Sequence, residues 1–99
     1  HEVVVTLRAL RQIERAASWW EEHRPAAPGA IADDFEATRH LLARQPGIGA
    51  RSEVRKCANP QLRRVTLERI RYHVYYDIRG TTVVVLAFWH TSRGAAPTL

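Results

Sequence analysis

Trp89, His90 and Arg93 stand within five residues of one another at the end of the apolar run "VVVLAFWHTSRG", which covers residues 83–94. An indole can stack or cap an apolar site, an imidazole can carry a proton near neutral pH, and a guanidinium can grip a phosphate or a carboxylate. Arg64, His73 and Tyr75 lie upstream in the same half of the chain. If a sheet gathers them with His90 and Arg93, arginines would hold phosphates, an aromatic ring would stack a base, and an imidazole would move protons at a 2′-hydroxyl. A surface that only meets solvent would show the same residue types. No carboxylate stands among them as an obvious base apart from Asp77. Thr91 and Ser92 beside His90 carry no oxyanion-hole signature and are not read as nucleophiles.

The elements that must position these residues follow from periodicity. "EVVVT" is a short β-branched run and reads as a first strand, ending on Thr6, which can cap a helix. From Leu7 to His23, Leu10, Ile13, Ala17 and Trp20 fall at helical spacing, with charged residues around the rest of the wheel. "RPAAPG" breaks this helix, and a second follows with Ile31, Phe35, Thr38 and Leu42 on one stripe. Its acidic residues Asp33, Asp34 and Glu36 come early and Arg39, His40 and Arg44 late, as the helix dipole favours. The short link makes the two helices an antiparallel hairpin. "QPGIG" closes the second helix, and from Val54 onward the period drops to two, so the rest reads as strands.

Turns at 69–70 and 79–80 would set the register. They would place Leu67 opposite Tyr72, Val65 opposite Val74, Tyr76 opposite Val83 and His73 opposite Leu86. One face then carries Val65, Leu67, Tyr72, Val74, Tyr76, Ile78, Val83, Val85 and Ala87, and packs on the helices. The other carries Arg64, Thr66, His73, Tyr75, Val84, Leu86, Phe88 and His90. Leu86 and Phe88 on that outer face call for a cover. A partner is the expected one; a loop or the N-terminal helix of the same chain, or a one-residue slip of parity at a bulge, are the alternatives.

Composition narrows the function. The 99 residues suit one domain, 1–99, with residues 1–2 and 94–99 expected to be flexible. Fifteen basic residues face ten acidic ones, and Lys56 is the only lysine, so the partners expected are anionic: nucleic acid or an acidic polypeptide. Arginine-rich composition from a GC-rich genome is the plainer explanation of the same numbers. One cysteine, Cys57, allows no internal disulfide, and nothing reads as a signal peptide or membrane span, so the expected location is the cytoplasm. The histidines are too dispersed for a metal site, and no cofactor is expected. The chain has no methionine, and His1 is given no role.

The order of strand, helical hairpin and antiparallel strands, with the string "RRVTLERIRYHVYYDIRGTTVVVLAFWHTSRG", resembles the RelE/ParE superfamily of toxins from bacterial toxin–antitoxin pairs. The resemblance runs from the first strand to Arg93. It implies an α+β fold: an N-terminal strand, an antiparallel helical hairpin, then a twisted antiparallel sheet of three to four strands packed on the helices. RelE-like members cut messenger RNA on the ribosome with basic residues on the sheet and, often, an aromatic near the C-terminus. ParE-like members inhibit DNA gyrase. Arg64, His73 and Arg93 match three basic positions of the ribonuclease branch, but Thr66 stands where a second basic residue is common, and "GAAPTL" has no aromatic. "FWHTSRG" is similar to the ParE-like ending in His90 and Arg93, and departs from it at Thr91 and Ser92. "GIGARS" and "KCANPQ" are compatible with that branch.

The resemblance therefore implies a non-enzymatic gyrase inhibitor held silent by a cognate antitoxin, with Trp89, His90 and Arg93 meeting the target. The alternative is a ribosome-dependent mRNA endoribonuclease built on Arg64, His73 and Arg93. Antitoxin contact is expected around Trp19, Trp20, Leu86 and Phe88, where apolar surface could be covered while carboxylates pair with arginines.

Overall fold

A computed structural model describes residues 1–52, 62–97 and 99. Its elements run in chain order. Strand β1 (Glu2–Val5) leads into helix α1 (Leu7–His23), helix α2 (Ala30–Arg44) and a 3₁₀ turn at Pro46–Ile48. Strands β2 (Ala50–Arg51), β3 (Arg63–Leu67), β4 (Tyr72–Arg79) and β5 (Thr82–His90) follow. Val54, Lys56, Cys57 and "KCANPQ" lie outside the described residues.

The first helix starts where the sequence says it should. Thr6 is extended, and its hydroxyl accepts the Ala9 N–H at 3.1 Å, satisfying one of the helix's unpaired amides. At the far end the Trp20 indole donates to the Ala27 carbonyl at 2.9 Å, which ties the helix to the linker that follows. The buried face of α2 is Ala30, Ile31, Phe35, Thr38 and Leu42, the expected stripe with one alanine added. On α1 the expected stripe is rotated: Ala9 and Ala16 are the buried residues, Ile13, Ala17 and Trp20 pack at their sides, and Leu10 is exposed. Two alanines facing inward bring the helix axis close to the sheet, and leucines there would hold it off.

The sheet has five strands in the order β1-β5-β4-β3-β2. The antiparallel run β3–β4–β5 is the expected one, and β1 adds to it in parallel along β5, with Val3 beside Val83 and Val5 beside Val85. The two-residue β2 closes the other edge. The β3–β4 register is as expected, with Val65 opposite Val74 and Leu67 opposite Tyr72.

The β4–β5 register is not. Arg79 pairs with Thr82, so the turn residues are Gly80 and Thr81 and not Arg79 and Gly80. Gly80, with φ of 60°, takes the first turn position, where a II′ turn needs glycine; the expected placement would have asked Arg79 for a left-handed backbone. Farther along, the pairing shifts between Tyr75 and Tyr76: Tyr76 faces Val85 and Tyr75 faces Ala87, leaving Leu86 as the extra residue of a bulge. Every side chain of β5 beyond the bulge changes face. Phe88, expected outside, is buried against Phe35 and stacked on Tyr72 in the main core, and Ala87, expected inside, lies on the outer face.

The main core fills the space between helices and sheet, with Tyr76, Ile31, Leu42 and Val85 at its centre. Tyr76 also fixes the segment after α2, its hydroxyl donating to the Pro46 carbonyl at 2.7 Å and accepting the Gly49 N–H at 2.9 Å. A Cβ on Gly49 would come within 2.6 Å of that oxygen, so only glycine fits. A smaller cluster of Leu62, Tyr75 and Ala87 occupies the outer face, joined by Leu86, Trp89 and Leu99. The segment after Arg93, expected to be flexible, is laid along that face: Pro97 is fully buried and Ala95 accepts a hydrogen bond from the Trp89 indole at 2.8 Å. The chain's own tail thus reaches the outer cluster, while Arg64 on the same face stays exposed.

Candidate functional site

Strand β1 stops at Val5, so the edge of β5 beyond Val85 has no neighbouring strand. Helix α1 crosses there instead, and its Gln12 carboxamide oxygen accepts the Phe88 N–H at 2.8 Å, replacing a ladder hydrogen bond. Between helix and strand end remains a groove of about 310 Å³. Gln12, Arg15, Ala16 and Trp19 from α1 form one wall; Tyr72, Phe88, Trp89, His90 and Arg93 form the other.

The turn after β5 is tightly held. The His90 Nδ1 accepts the Ser92 N–H at 3.0 Å and lies 2.7 Å from the Ser92 hydroxyl, and the Arg93 N–H donates to the His90 carbonyl at 3.2 Å. Because Nδ1 accepts an amide hydrogen, the ring proton of neutral His90 sits on Nε2. The Thr91 N–H donates to the Arg71 carbonyl at 2.9 Å, joining this turn to the start of β4. Arg93 ends up with its guanidinium carbon 3.9 Å from the centre of the Trp89 ring, a cation–π contact.

The aromatic residues of the groove are braced by their neighbours. Tyr72 stacks on Phe88 at 4.4 Å and meets His90 edge-on at 4.9 Å; Trp19 stacks on His23 at 4.4 Å. Burial raises the Tyr72 hydroxyl's pKa, and the nearby Arg93 charge pulls the other way. The ion pairs among the described residues include Glu36 with Arg39 and His40, Asp34 with Arg69, and Asp77 with Arg79. Arg15 and Arg93 belong to none of them, so the groove keeps its positive charge.

The sequence-predicted residues divide accordingly. Trp89, His90 and Arg93 share the groove, and Trp19, expected at the antitoxin contact, lies on its opposite wall. Trp20 is half-buried in the helical hairpin, Leu86 belongs to the outer cluster beside the tail, and Phe88 is buried as the groove's floor and has no free surface for a partner to cover. Arg64, His73 and Tyr75 share the outer face, but the bulge moves His90 to the other side of the sheet, so the expected four do not converge. Tyr75 is buried under the outer cluster. The His73 Nδ1 lies 2.9 Å from the Thr66 hydroxyl, and burial, then the Arg64 charge, push its pKa down. Gln12, Arg15 and Tyr72 are groove residues that sequence reasoning missed. The signal was present for two: Gln12, Arg15 and Trp19 recur at the helical interval and lie along one stripe. No group of three or more metal-ligating side chains occurs among the described residues, and no described helix is long and apolar enough to cross a membrane.

Comparison with known proteins gives the chain its relatives. No curated protein sequence matches it. A solved structure entitled "Chromosomal ParDE TA system from P. aeruginosa" superimposes with a TM-score of 0.72 at 17% identity, over 92% of this chain and 96% of that one, and so shares the fold. A family model described as "ParE toxin of type II toxin-antitoxin system, parDE" matches residues 3–94, which takes in β1 from Val3, both helices and the whole groove. The chain belongs to the ParE toxin family.

Proposed function

We propose that this protein is the toxin of a type II toxin–antitoxin pair, that it acts in the cytoplasm by binding DNA gyrase without catalysing a reaction, and that its antitoxin silences it by occupying the same groove. One observation carries the reading. Trp89, His90 and Arg93, expected at the target, and Trp19, expected at the antitoxin, line a single cationic groove. A ligand filling about 310 Å³ between them leaves no room for another, so target and antitoxin compete.

A ribosome-dependent ribonuclease is the second reading, favoured by one feature: burial, then the Arg64 charge, lower the His73 pKa, which favours the neutral imidazole of a general base. Against it, His90 lies on the other face of the sheet and Tyr75 is buried.

Two measurements separate the readings. Induced without its antitoxin, the toxin is expected to raise DNA-damage signalling within minutes while translation continues, and purified toxin to inhibit supercoiling or trap cleaved DNA. An immediate fall in translation with cut messages, and gyrase left unaffected in vitro, overturns the proposal.

A further inference from the structure

The turn from β3 to β4 ends on Arg71, whose φ of 60° makes it the only non-glycine residue with a left-handed backbone among those described. Glycine holds that conformation without a Cβ clash and asparagine at small cost, whereas an arginine there is a burden on the fold. The fold gets nothing visible in return from the side chain. Arg71 is exposed, and none of the ion pairs or hydrogen bonds among the described residues involves its guanidinium. What the position offers is location. The Arg71 carbonyl binds the Thr91 N–H at 2.9 Å, next to the turn that carries Arg93, and the following residue, Tyr72, lines the groove.

We propose that Arg71 is a specificity-determining residue at the mouth of the groove, kept in an unfavourable backbone conformation so that its guanidinium, with those of Arg93 and Arg15, binds carboxylates of an acidic segment of the cognate antitoxin. The inference rests on the reading above that an antitoxin fills the groove. A peptide suits the groove better than unpaired bases do. Trp89 is capped by Arg93, Trp19 by His23 and Tyr72 by Phe88, so each ring has already given a face to its own chain. Carboxylates need only the open N–H edges of the guanidinium groups.

The test compares the full chain with Arg71→Gly, Arg71→Asn and Arg71→Lys. It measures thermal midpoint, affinity for the full-length antitoxin by calorimetry, and affinity for a duplex DNA fragment. Arg71→Gly is expected to raise the midpoint by about 4 °C as the strain is relieved. The same change, and Arg71→Asn with it, is expected to weaken antitoxin binding by about tenfold, with Arg71→Lys in between. A side chain with no role beyond the fold cannot produce opposite signs in stability and binding. Unchanged antitoxin affinity in both the glycine and asparagine variants overturns the inference, as does a loss confined to DNA. A lowered midpoint in both shows that the backbone was not strained and overturns it as well. If the unaltered chain fails to bind antitoxin, the reading beneath the inference falls with it; binding by the unaltered chain with no effect of Arg71 leaves that reading standing.

Discussion

His73 carries a pH dependence whose sign can be worked out. Burial and the Arg64 charge lower its pKa below the ordinary value of 6.5, with Glu68 opposing weakly. Above that value both folded and unfolded chains leave the imidazole neutral, and it contributes no pH dependence. As pH falls through 6.5 the unfolded chain takes up the proton first, so folding stability declines until the folded-state pKa is passed. Urea unfolding at about pH 7.5 and about pH 5.5 is therefore expected to show a smaller loss on acidification in His73→Gln than in the parent. At this scale the sequence was informative where chemistry is local. Trp89, His90 and Arg93 are neighbours in the chain, and a short turn keeps them neighbours in space. Arg15 reaches the same groove only because α1 crosses β5, a fact of tertiary packing that residue type does not encode.

Among the elements, β5 decides most. Its first half is paired on both edges, and its second half has β4 on one side and a helix on the other. Removing the Gln12 carboxamide leaves the Phe88 N–H without its acceptor, so Gln12→Ala is expected to cost about 1 kcal/mol and to speed hydrogen exchange at Phe88. The tail is the other support. Truncation after Gly94 removes the buried Pro97, strips Leu99 from the outer cluster and takes the Ala95 carbonyl from the Trp89 indole; it is expected to cost roughly 1–3 kcal/mol and to red-shift Trp89 fluorescence. Element types and the β3–β4 pairing were legible from periodicity, because apolar spacing reports directly on which side of a helix or strand is buried. The bulge at Leu86 was not. A run as uniformly apolar as "VVVLAF" looks the same in either parity, so nothing local marks where the faces exchange. The cover expected over Leu86 and Phe88 was called for by the wrong parity: the bulge takes Phe88 into the main core, and the tail packs beside what remains of the outer cluster.

For the molecule as a whole, the charge excess of +5 gathers meaning at the groove, where Arg15 and Arg93 have no acidic partner among the described residues. If target and antitoxin share the groove, Trp19→Ala and Arg15→Ala should each weaken gyrase inhibition and antitoxin binding together, by about tenfold or more, while Arg39→Ala on α2, already paired with Glu36, should change neither. Loss of one activity with full retention of the other would separate the two surfaces. Raised salt should weaken antitoxin binding chiefly through slower association, because it screens the attraction between exposed charges.

The parallel pairing of β1 with β5 also sets a timetable. Val3 finds its neighbour only when Val83 has been made, so β1 leaves the ribosome well before the strand it pairs with. At ordinary synthesis rates that interval is on the order of ten seconds, during which the groove does not exist, because β5 forms its second wall. Until β5 has been made, a ligand of this groove, whether target or antitoxin, has no complete surface to bind.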